Sequence, residues 1–452
     1  MPLIALLLAT VVIVAVSSIG RNPLQISRDW LFLTILAQAY IYGFVGPTFS
    51  VLDESVVLER AYASQQFLIL ALFFVPAILL YRALIRFRHK QVPKYVVLSI
   101  RPSASAAFLV GVLIFEIAFV YVSVENDFLF RRIGTEVLAK TQADLDLSTV
   151  ALIRSHDLAI IPVIMLINFV RQNVAWSDVN TIKWKRLFDG LFVICVLVFL
   201  GYALLNSRLL IFVFLALLYW IRTLSDATRK SFHWKKWGGL VVVGVYFVLL
   251  VSNVRAAWPS GNISLAVLNP LYSIDDAETR LRAGSDWIKR ADCLDLIVRI
   301  QSDLEQDGYA RGAAWERPVV VLIGQFFLSE QAQELKRSAR TTAKTYLLEN
   351  YTTLDPGDYY SCAFTDAYGN FGPFGYLLLA ICYTCAIGAL TFAAHKTRKP
   401  WVIVLTFFFA AHLIVFESEF ITLLLGWIRV APFFILMLLV IPIAYIRRPA
   451  QV

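Results

Sequence analysis

The stretch "DPGDYYSCAFTDAYGNFGPFGYLLLAICY", residues 355–383, changes character along its length. Its part up to Gly375 carries four glycines and two prolines, and its remainder is an uncharged apolar run. Turn-forming residues followed by a long apolar run predict a polar segment that returns into a membrane-spanning helix. Pro356 and Gly357 suit a turn, and Pro373 suits the first turn of the helix that follows.

The composition predicts an integral membrane protein. Of the 452 residues, 59% are hydrophobic and 16% are charged, whereas a soluble domain is about half apolar and about one quarter charged. The run "PLIALLLATVVIVAVSSIG", residues 2–20, has no basic residue before it and is long enough to span, which predicts a retained helix and not a cleaved signal. The net charge of +9 lies mainly in short connections, so we attribute it to membrane topology and not to nucleic-acid binding.

Apolar stretches of about 17 to 25 residues predict eleven spans. They cover residues 2–19, 30–49, 64–83, 103–124, 148–170, 187–205, 208–222, 238–253, 373–394, 401–417 and 421–446.

Basic residues predict the orientation of these spans. With eleven spans, the Lys- and Arg-rich segments all fall on one side, which should be the cytoplasm because positive charge is retained there. These segments are 82–101, 171–186, 222–236, 395–399 and the C-terminal Arg447–Arg448, together with Arg21 and Arg28. The N-terminus is then outside and the C-terminus inside.

Three regions follow from this topology: an N-terminal bundle over residues 1–253, a large outer loop over 254–372 and C-terminal spans over 373–452. The loop is too long for a simple connection, which predicts a functional role. Within it, "DWIKRADCLDLIVRIQSDL" predicts an amphipathic helix whose apolar stripe includes Cys293, Leu294, Ile297 and Ile300. "SEQAQELKRSARTTAKTYLLE" predicts a polar helix. A disulfide between Cys293 and Cys362 stays open, because sequence does not give their distance.

Charged side chains recur where the predicted spans meet the outer face. Such charges usually face the interior of a bundle or a wet cavity, and arginine there suits phosphate because its planar fork donates two hydrogen bonds. No nucleotide-binding glycine motif is present, so a substrate activated elsewhere is expected. The candidates are Arg208, Arg255, Arg282, Arg290, Glu417, Glu419 and Arg429.

Four stretches, in this order, resemble the polytopic bacterial polysaccharide polymerases of the Wzy type. The first is "LNSRLLIFVFLALLYW", a short Arg-bearing turn before an apolar helix. The second is "SDWIKRADCLDLIVRIQSDLEQDGYARGAAWERPVVVLIGQFF", similar to the family's Arg-bearing helix and Tyr/Gly stretch, although "FFLSEQ" stands where the family usually has a proline. The third is "LDPGDYYSCAFTDAYGNFGPFGYLLLAI", with its Asn-Phe-Gly entry into a helix. The fourth is "FESEFITLLLGWIR", an acidic turn followed by Arg.

The resemblance covers about residues 190 to 446 and implies an all-α polytopic bundle of the C-type glycosyltransferase kind, with a periplasmic loop over the site. It implies transfer of a growing chain from undecaprenyl pyrophosphate to the newest lipid-linked repeat unit at the bacterial inner membrane, with no metal or other cofactor. Glu419 or Glu417 would act on the acceptor hydroxyl, whereas Arg208, Arg290, Arg255, Arg282 and Arg429 would hold the pyrophosphate. The saccharide path and loop hinge would use Tyr360, Tyr368, Gly369, Asn370 and Gly372.

Two other functions compete with polymerisation. An O-antigen ligase shares the bundle and the lipid-linked donor, but ligases tend to carry a histidine in the outer loop, and this loop has none. A lipid or polysaccharide transporter usually shows repeated halves, and none is visible. A polymerase is also expected to work beside a flippase and a chain-length regulator.

Overall fold

A computed structural model describes residues 29–47, 65–66, 68–86, 97–125, 147–174, 179–206, 208–225, 293–326, 343–351, 361–397, 399–416 and 419–447. This part of the chain is mostly helical, with one small sheet. Its elements are α1 (Trp30–Tyr40, continued by a π-helical turn at Ile41–Val45), α2 (Ala71–Arg86), β1 (Val97–Ile100), α3 (Pro102–Glu125), α4 (Leu147–Asn173), α5 (Val179–Asn206), α6 (Arg208–Ser225), α7 (Asp295–Asp307), α8 (Ala313–Phe326), α9 (Ala343–Tyr351), α10 (Ala363–Phe371), α11 (Pro373–Lys396), α12 (Pro400–Leu413), α13 (Phe420–Leu439) and β2 (Ile443–Arg447).

Helices occupy nine of the eleven predicted spans, and the other two, residues 2–19 and 238–253, lie outside the described residues. Within the described part of the chain, three stretches are long and apolar enough to cross a membrane: Pro102–Glu125, Ile182–Ala203 and Pro373–Ala394. Shorter apolar helices accompany them. The chain is therefore consistent with a membrane protein, and the full count of eleven spans stays a prediction.

The chain divides into two compact units, each built from separate segments. The first unit comprises Met1–Gln91, Ala283–Thr391 and His412–Ile428. The second comprises Val92–Arg282, Phe392–Ala411 and Arg429–Val452. This division follows spatial contacts, whereas the three predicted regions follow the order of spans and loop.

In the second unit, α4 packs against α3, α5 and α6, and every residue from 159 to 170 is buried. The inner face of helix α3 is mixed: it buries Ser105, Glu116 and Ser123 together with three apolar side chains, Phe108, Val112 and Phe119. Its outer face exposes large apolar side chains, including Ile114 and Ile117. Polar side chains that face inward beside an apolar exterior are expected of a helix that faces lipid.

Strands β1 and β2 pair antiparallel, with Ser99 opposite Tyr445. The purely helical prediction and the eleventh span, 421–446, differ from the structure here, because α13 ends at Leu439 and the chain then turns into β2. Pro442 lies in the turn and cannot donate a helical hydrogen bond. The Arg101 backbone N–H bonds to its carbonyl instead.

In the first unit, aromatic rings from distant parts of the chain form a core. Phe364 packs edge to face against Phe73, Phe416 and Tyr376, with ring centroids 4.8 to 5.2 Å apart. The Gln38 side chain donates to the Ile414 carbonyl and accepts from the Phe416 N–H. These contacts connect α1 and α2 with the segments that hold the candidate site.

The predicted helices of the outer loop are present in part. Helix α7 begins at Asp295 and buries Leu296, Ile297 and Ile300, which confirms the apolar stripe where it is described. Helix α9 overlaps the end of the second predicted helix, residues 329–349, and continues to Tyr351. Cys293 and Cys362 are both buried, and no disulfide joins them in this structure.

Candidate functional site

Glu419 lies immediately before α13, and its carbonyl accepts the first backbone bond of that helix from the Leu423 N–H. Its side chain is 5% exposed. Carboxylate oxygen Oε1 accepts hydrogen bonds from the Lys344 backbone N–H at 2.9 Å and from the Ser361 hydroxyl at 3.0 Å. Since Lys344 lies in the first turn of α9, the carboxylate faces the positive end of that helix.

Ser361 is held in place by the segment that follows it. The Cys362 and Thr365 residues form a capping box at the start of α10. The Ala363 backbone N–H donates to the Phe416 carbonyl, and the Thr365 hydroxyl donates to the Cys293 carbonyl at 3.1 Å. The serine, the acidic turn and the start of α7 are therefore connected by hydrogen bonds.

A second polar cluster lies one turn further along α10. The Asp366 carboxylate is fully buried and accepts hydrogen bonds from the Trp315 indole N–H at 2.5 Å and the Asn370 amide at 3.0 Å. The Asn370 side-chain oxygen accepts from the Gly312 N–H, and its carbonyl accepts from the Arg311 N–H. A buried carboxylate needs such donors to offset its desolvation, and here they fix the turn between α7 and α8 against α10.

That turn has an unusual backbone. Gly308 and Gly312 have φ of +90° and +95°, and Arg311 has φ of +50°, which is uncommon for a residue with a side chain. The Arg311 side chain is exposed. Because strained residues cluster at functional sites, we add Arg311 to the candidate cations of this region.

Glycine is required at two positions where α10 meets α11: Gly372 lies between the two helices and Gly375 lies in the first turn of α11. Gly372 has φ of +60°, and a Cβ there would lie 2.4 Å from the Tyr309 ring. A Cβ at Gly375 would lie 2.0 Å from the Ala367 carbonyl oxygen. These glycines allow close packing of α10, α11 and the 308–312 turn, so their observed role is a fixed junction.

Tyr368 packs against the Tyr309 ring at 5.9 Å and the Tyr376 ring at 5.5 Å, and it is fully buried. Burial, and then the neighbouring Tyr309, raise the pKa of the Tyr368 phenol well above its usual value, so it remains protonated at neutral pH. Asn370 is equally buried. In this conformation Tyr368 and Gly369 support the site by packing, with Gly369 beside Leu347, and Asn370 supports it by its hydrogen bonds. Contact of these residues with a saccharide stays a prediction.

The other predicted residues are described only partly or not at all. Arg208 starts α6 in the second unit and Arg429 lies within α13, and for both only the backbone is described. The remaining ones lie outside the described residues: Arg255, Arg282, Arg290, Tyr360 and Glu417. Of the two predicted acids, Glu419 is therefore the one with a defined environment.

Three polar residues of this site were not predicted from the sequence: Ser361, Asp366 and Trp315. For Asp366 the sequence did contain a signal: Asn370 follows it four residues later, a spacing that places two side chains together on a helix. The glycines on both sides of Asn370 favoured a loop instead.

No protein-family model, curated protein or solved structure matches this chain. The functional proposal therefore depends on the residues and their geometry, together with the resemblance of the four stretches.

Proposed function

We propose that this protein is a glycosyltransferase that polymerises oligosaccharide repeat units carried on undecaprenyl pyrophosphate. In this proposal it is a multi-pass protein of the bacterial inner membrane, with its N-terminus and its active face in the periplasm and its C-terminus in the cytoplasm. A flippase would supply the lipid-linked units, and a chain-length regulator would act with it.

One observation carries the proposal: three of the four resembling stretches meet in the first unit. The second stretch contributes Cys293, Gly312 and Trp315, and the third contacts all three through α10. The fourth contributes Glu419, which accepts a hydrogen bond from Ser361 of the third. Segments far apart in the chain thus build one cluster that contains a buried carboxylate.

Glu419 has the properties required of a group that orients an acceptor hydroxyl. Two donors fix one carboxylate oxygen, and burial keeps bulk water away, so the carboxylate is held in one orientation. In the proposed reaction the acceptor oxygen attacks the anomeric carbon and its proton passes to Glu419. The bond to the lipid pyrophosphate breaks, and that group leaves with the electron pair.

The lipid pyrophosphate is already a good leaving group. The protein therefore has to hold it and to stabilise the negative charge that grows on it. Arg208, Arg290, Arg255, Arg282 and Arg429 are the proposed cations, and Arg311 joins them from the structure. Guanidinium groups placed near the departing phosphate stabilise the transition state electrostatically.

Substitution of Glu419 tests the proposal most sharply. Glu419→Gln keeps an oxygen that can accept from Lys344 and Ser361 but removes the base. The variant is produced in a native host strain from which the unsubstituted gene has been removed. We expect it to fold normally and to reduce polymer synthesis by about 100-fold or more relative to the unsubstituted protein. The accumulated product should be a single repeat unit on the lipid, seen by gel separation of the surface polysaccharide.

Glu316→Gln is the matched control, because Glu316 is an exposed acid on α8. Arg290→Ala and Arg208→Ala test the phosphate contacts in the same assay. Long polymer made at the normal level by Glu419→Gln would remove Glu419 from the mechanism. If both arginine variants also make it, the assignment of these arginines as the pyrophosphate-binding cations is refuted.

A further inference from the structure

A group of ionisable side chains is buried where α3, α4 and α5 pack together in the second unit. Helix α3 contributes Glu116, which is 1% exposed, and α4 contributes His156, which is 0% exposed. Asp157 on α4 and Cys195 and Tyr202 on α5 complete the group. Glu116 and Cys195 lie within the stretches that are long and apolar enough to cross a membrane.

Glu116 and His156 form its centre. Glu116 Oε2 lies 3.2 Å from His156 Nε2, within hydrogen-bond distance. The Phe119 ring stacks on the imidazole, with ring centroids 3.5 Å apart and an angle of 5° between the two ring planes. Phe115 and Tyr202 flank the same ring. The imidazole is thus enclosed by aromatic rings and presents one nitrogen to one carboxylate.

Stability alone does not explain this pair. Glu116 Oε1 and His156 Nδ1 are buried and make no hydrogen bond in the described part of the chain. A buried polar atom without a hydrogen bond is destabilising, and apolar side chains of similar volume are often at least as stable as a buried ion pair. Ionisable residues retained inside a membrane segment usually mark a functional site.

The neighbouring ionisable groups define the electrostatic setting. Cys195 is in electrostatic contact with Glu116, and Asp157 is in electrostatic contact with Tyr202. These are the groups that the three packed helices bring to the pair within the described side chains. Among the described side chains, the neighbours of the pair are thus an acid, a thiol and a phenol, and none of these carries positive charge.

The chemistry of the site selects its ligand. A metal ion needs three or more donors, and among the described residues no three His, Cys, Asp or Glu side chains are grouped to hold one. The stacked Phe119 ring covers one face of the imidazole and excludes a molecule from that face. A proton needs no additional space, and both facing atoms, Glu116 Oε2 and His156 Nε2, can carry it.

We propose that the Glu116–His156 pair is a proton-binding site within the apolar layer of the second unit. One proton lies between Oε2 and Nε2, and it exchanges with the surrounding water as pH changes. On loss of that proton the charge of this core falls by one, with no other group reduced or oxidised. The site is independent of the transferase proposal, since it requires none of the residues of the first unit.

Nuclear magnetic resonance of the imidazole nitrogens tests this in the full-length chain in lipid nanodiscs. His89→Gln, His233→Gln and His395→Gln together leave His156 and His412 as the only histidines, with the buried pair intact. We expect the His156 imidazole to change its protonation by one proton within the pH range over which the protein stays folded. Glu116→Gln should alter the His156 signal and leave the His412 signal unchanged. Glu125 is an exposed acid on the same helix, and Glu125→Gln should alter neither signal.

Infrared difference spectra between high and low pH give a second readout that does not need Glu116→Gln to fold. In the unsubstituted protein, the carbonyl stretch of a protonated carboxylic acid should differ between low and high pH. His156→Gln should change this difference band. A His156 signal and a carboxyl band that are both constant with pH would overturn the proposal and leave a fixed structural pair. A pH-dependent signal that Glu125→Gln removes would overturn it as well.

Discussion

Glu419 illustrates how much a single side chain can connect. Its carboxylate accepts from the N-terminal turn of α9 and from Ser361, two groups that lie 75 and 58 residues away in the chain. These hydrogen bonds offset the cost of burying the carboxylate. The same bonds hold it at a fixed place beside α10, which is the property that the proposed chemistry needs.

Gly372 provides a test at the scale of one residue. Gly372→Ala adds a Cβ that meets the Tyr309 ring and forces an L-residue into φ of +60°. We expect a loss of about 1–3 kcal/mol in the free energy of unfolding, measured by thermal or denaturant unfolding in detergent.

Gly190→Ala is the control for that experiment. Gly190 lies in α5, and a Cβ there would meet nothing within 4 Å. Alanine should be neutral or should stabilise the helix by up to about 1 kcal/mol. Equal stabilities of the two variants would contradict the described backbone at Gly372.

At the scale of elements, the small sheet joins three of the segments whose basic residues predict the cytoplasmic side. Strand β1 belongs to segment 82–101 and β2 to the C-terminal end. Leu98 also forms a parallel bridge with Val174 of segment 171–186. Segments that meet in one sheet are expected to lie on one side of a membrane, and this supports the alternation of spans from which the orientation is predicted.

A cysteine pair tests the register of this sheet. Ser99 lies opposite Tyr445, so Ser99→Cys with Tyr445→Cys places two thiols on one face at a distance suited to a disulfide. We expect oxidation of isolated membranes to crosslink this pair, as detected by peptide mass mapping. Ser99→Cys with Ile446→Cys should crosslink far less, because a shift of one residue moves the side chain to the other face. Equal yields would argue against the sheet.

The elements with clear periodicity or punctuation were predictable from sequence. Pro373 marks the start of α11 as expected, and the stripe of Ile297 and Ile300 is buried. Helix α10 was not predicted, since glycine at positions 369 and 372 resembles a loop locally and becomes helical only through tertiary hydrogen bonds. Strand β2 was missed because its apolar residues continue the hydrophobic run of α13, and a hydropathy average does not distinguish the two.

At the scale of the whole molecule, the side of the membrane on which each region lies is still a prediction. Arg101 and Arg311 are both exposed, and they lie in a predicted cytoplasmic segment and in the predicted outer loop. In a Cys385→Ser background, an impermeant maleimide should label Arg311→Cys in intact cells with an opened outer membrane. It should label Arg101→Cys only after the inner membrane is permeabilised.

Labelling of both cysteines from the same side would contradict the placement of the large loop opposite the basic segments. Labelling in the reverse order would invert the orientation and place the proposed site in the cytoplasm. Either result would count against a donor that is delivered to the periplasmic face.

The pairing of the chain's two ends bears on the order in which the protein is made. Gln38 finds its partners 376 and 378 residues later, and Val97 pairs with Arg447. A ribosome must therefore finish nearly the whole chain before either unit can satisfy these backbone and amide groups. Until then the early helices lack these hydrogen-bond partners. A chain that ends before residue 414 contains neither the partners of Gln38 nor the strand that pairs with Val97. Synthesis as far as residue 447 is therefore required for these contacts to form, and we expect products that end before residue 414 to be degraded by membrane proteases.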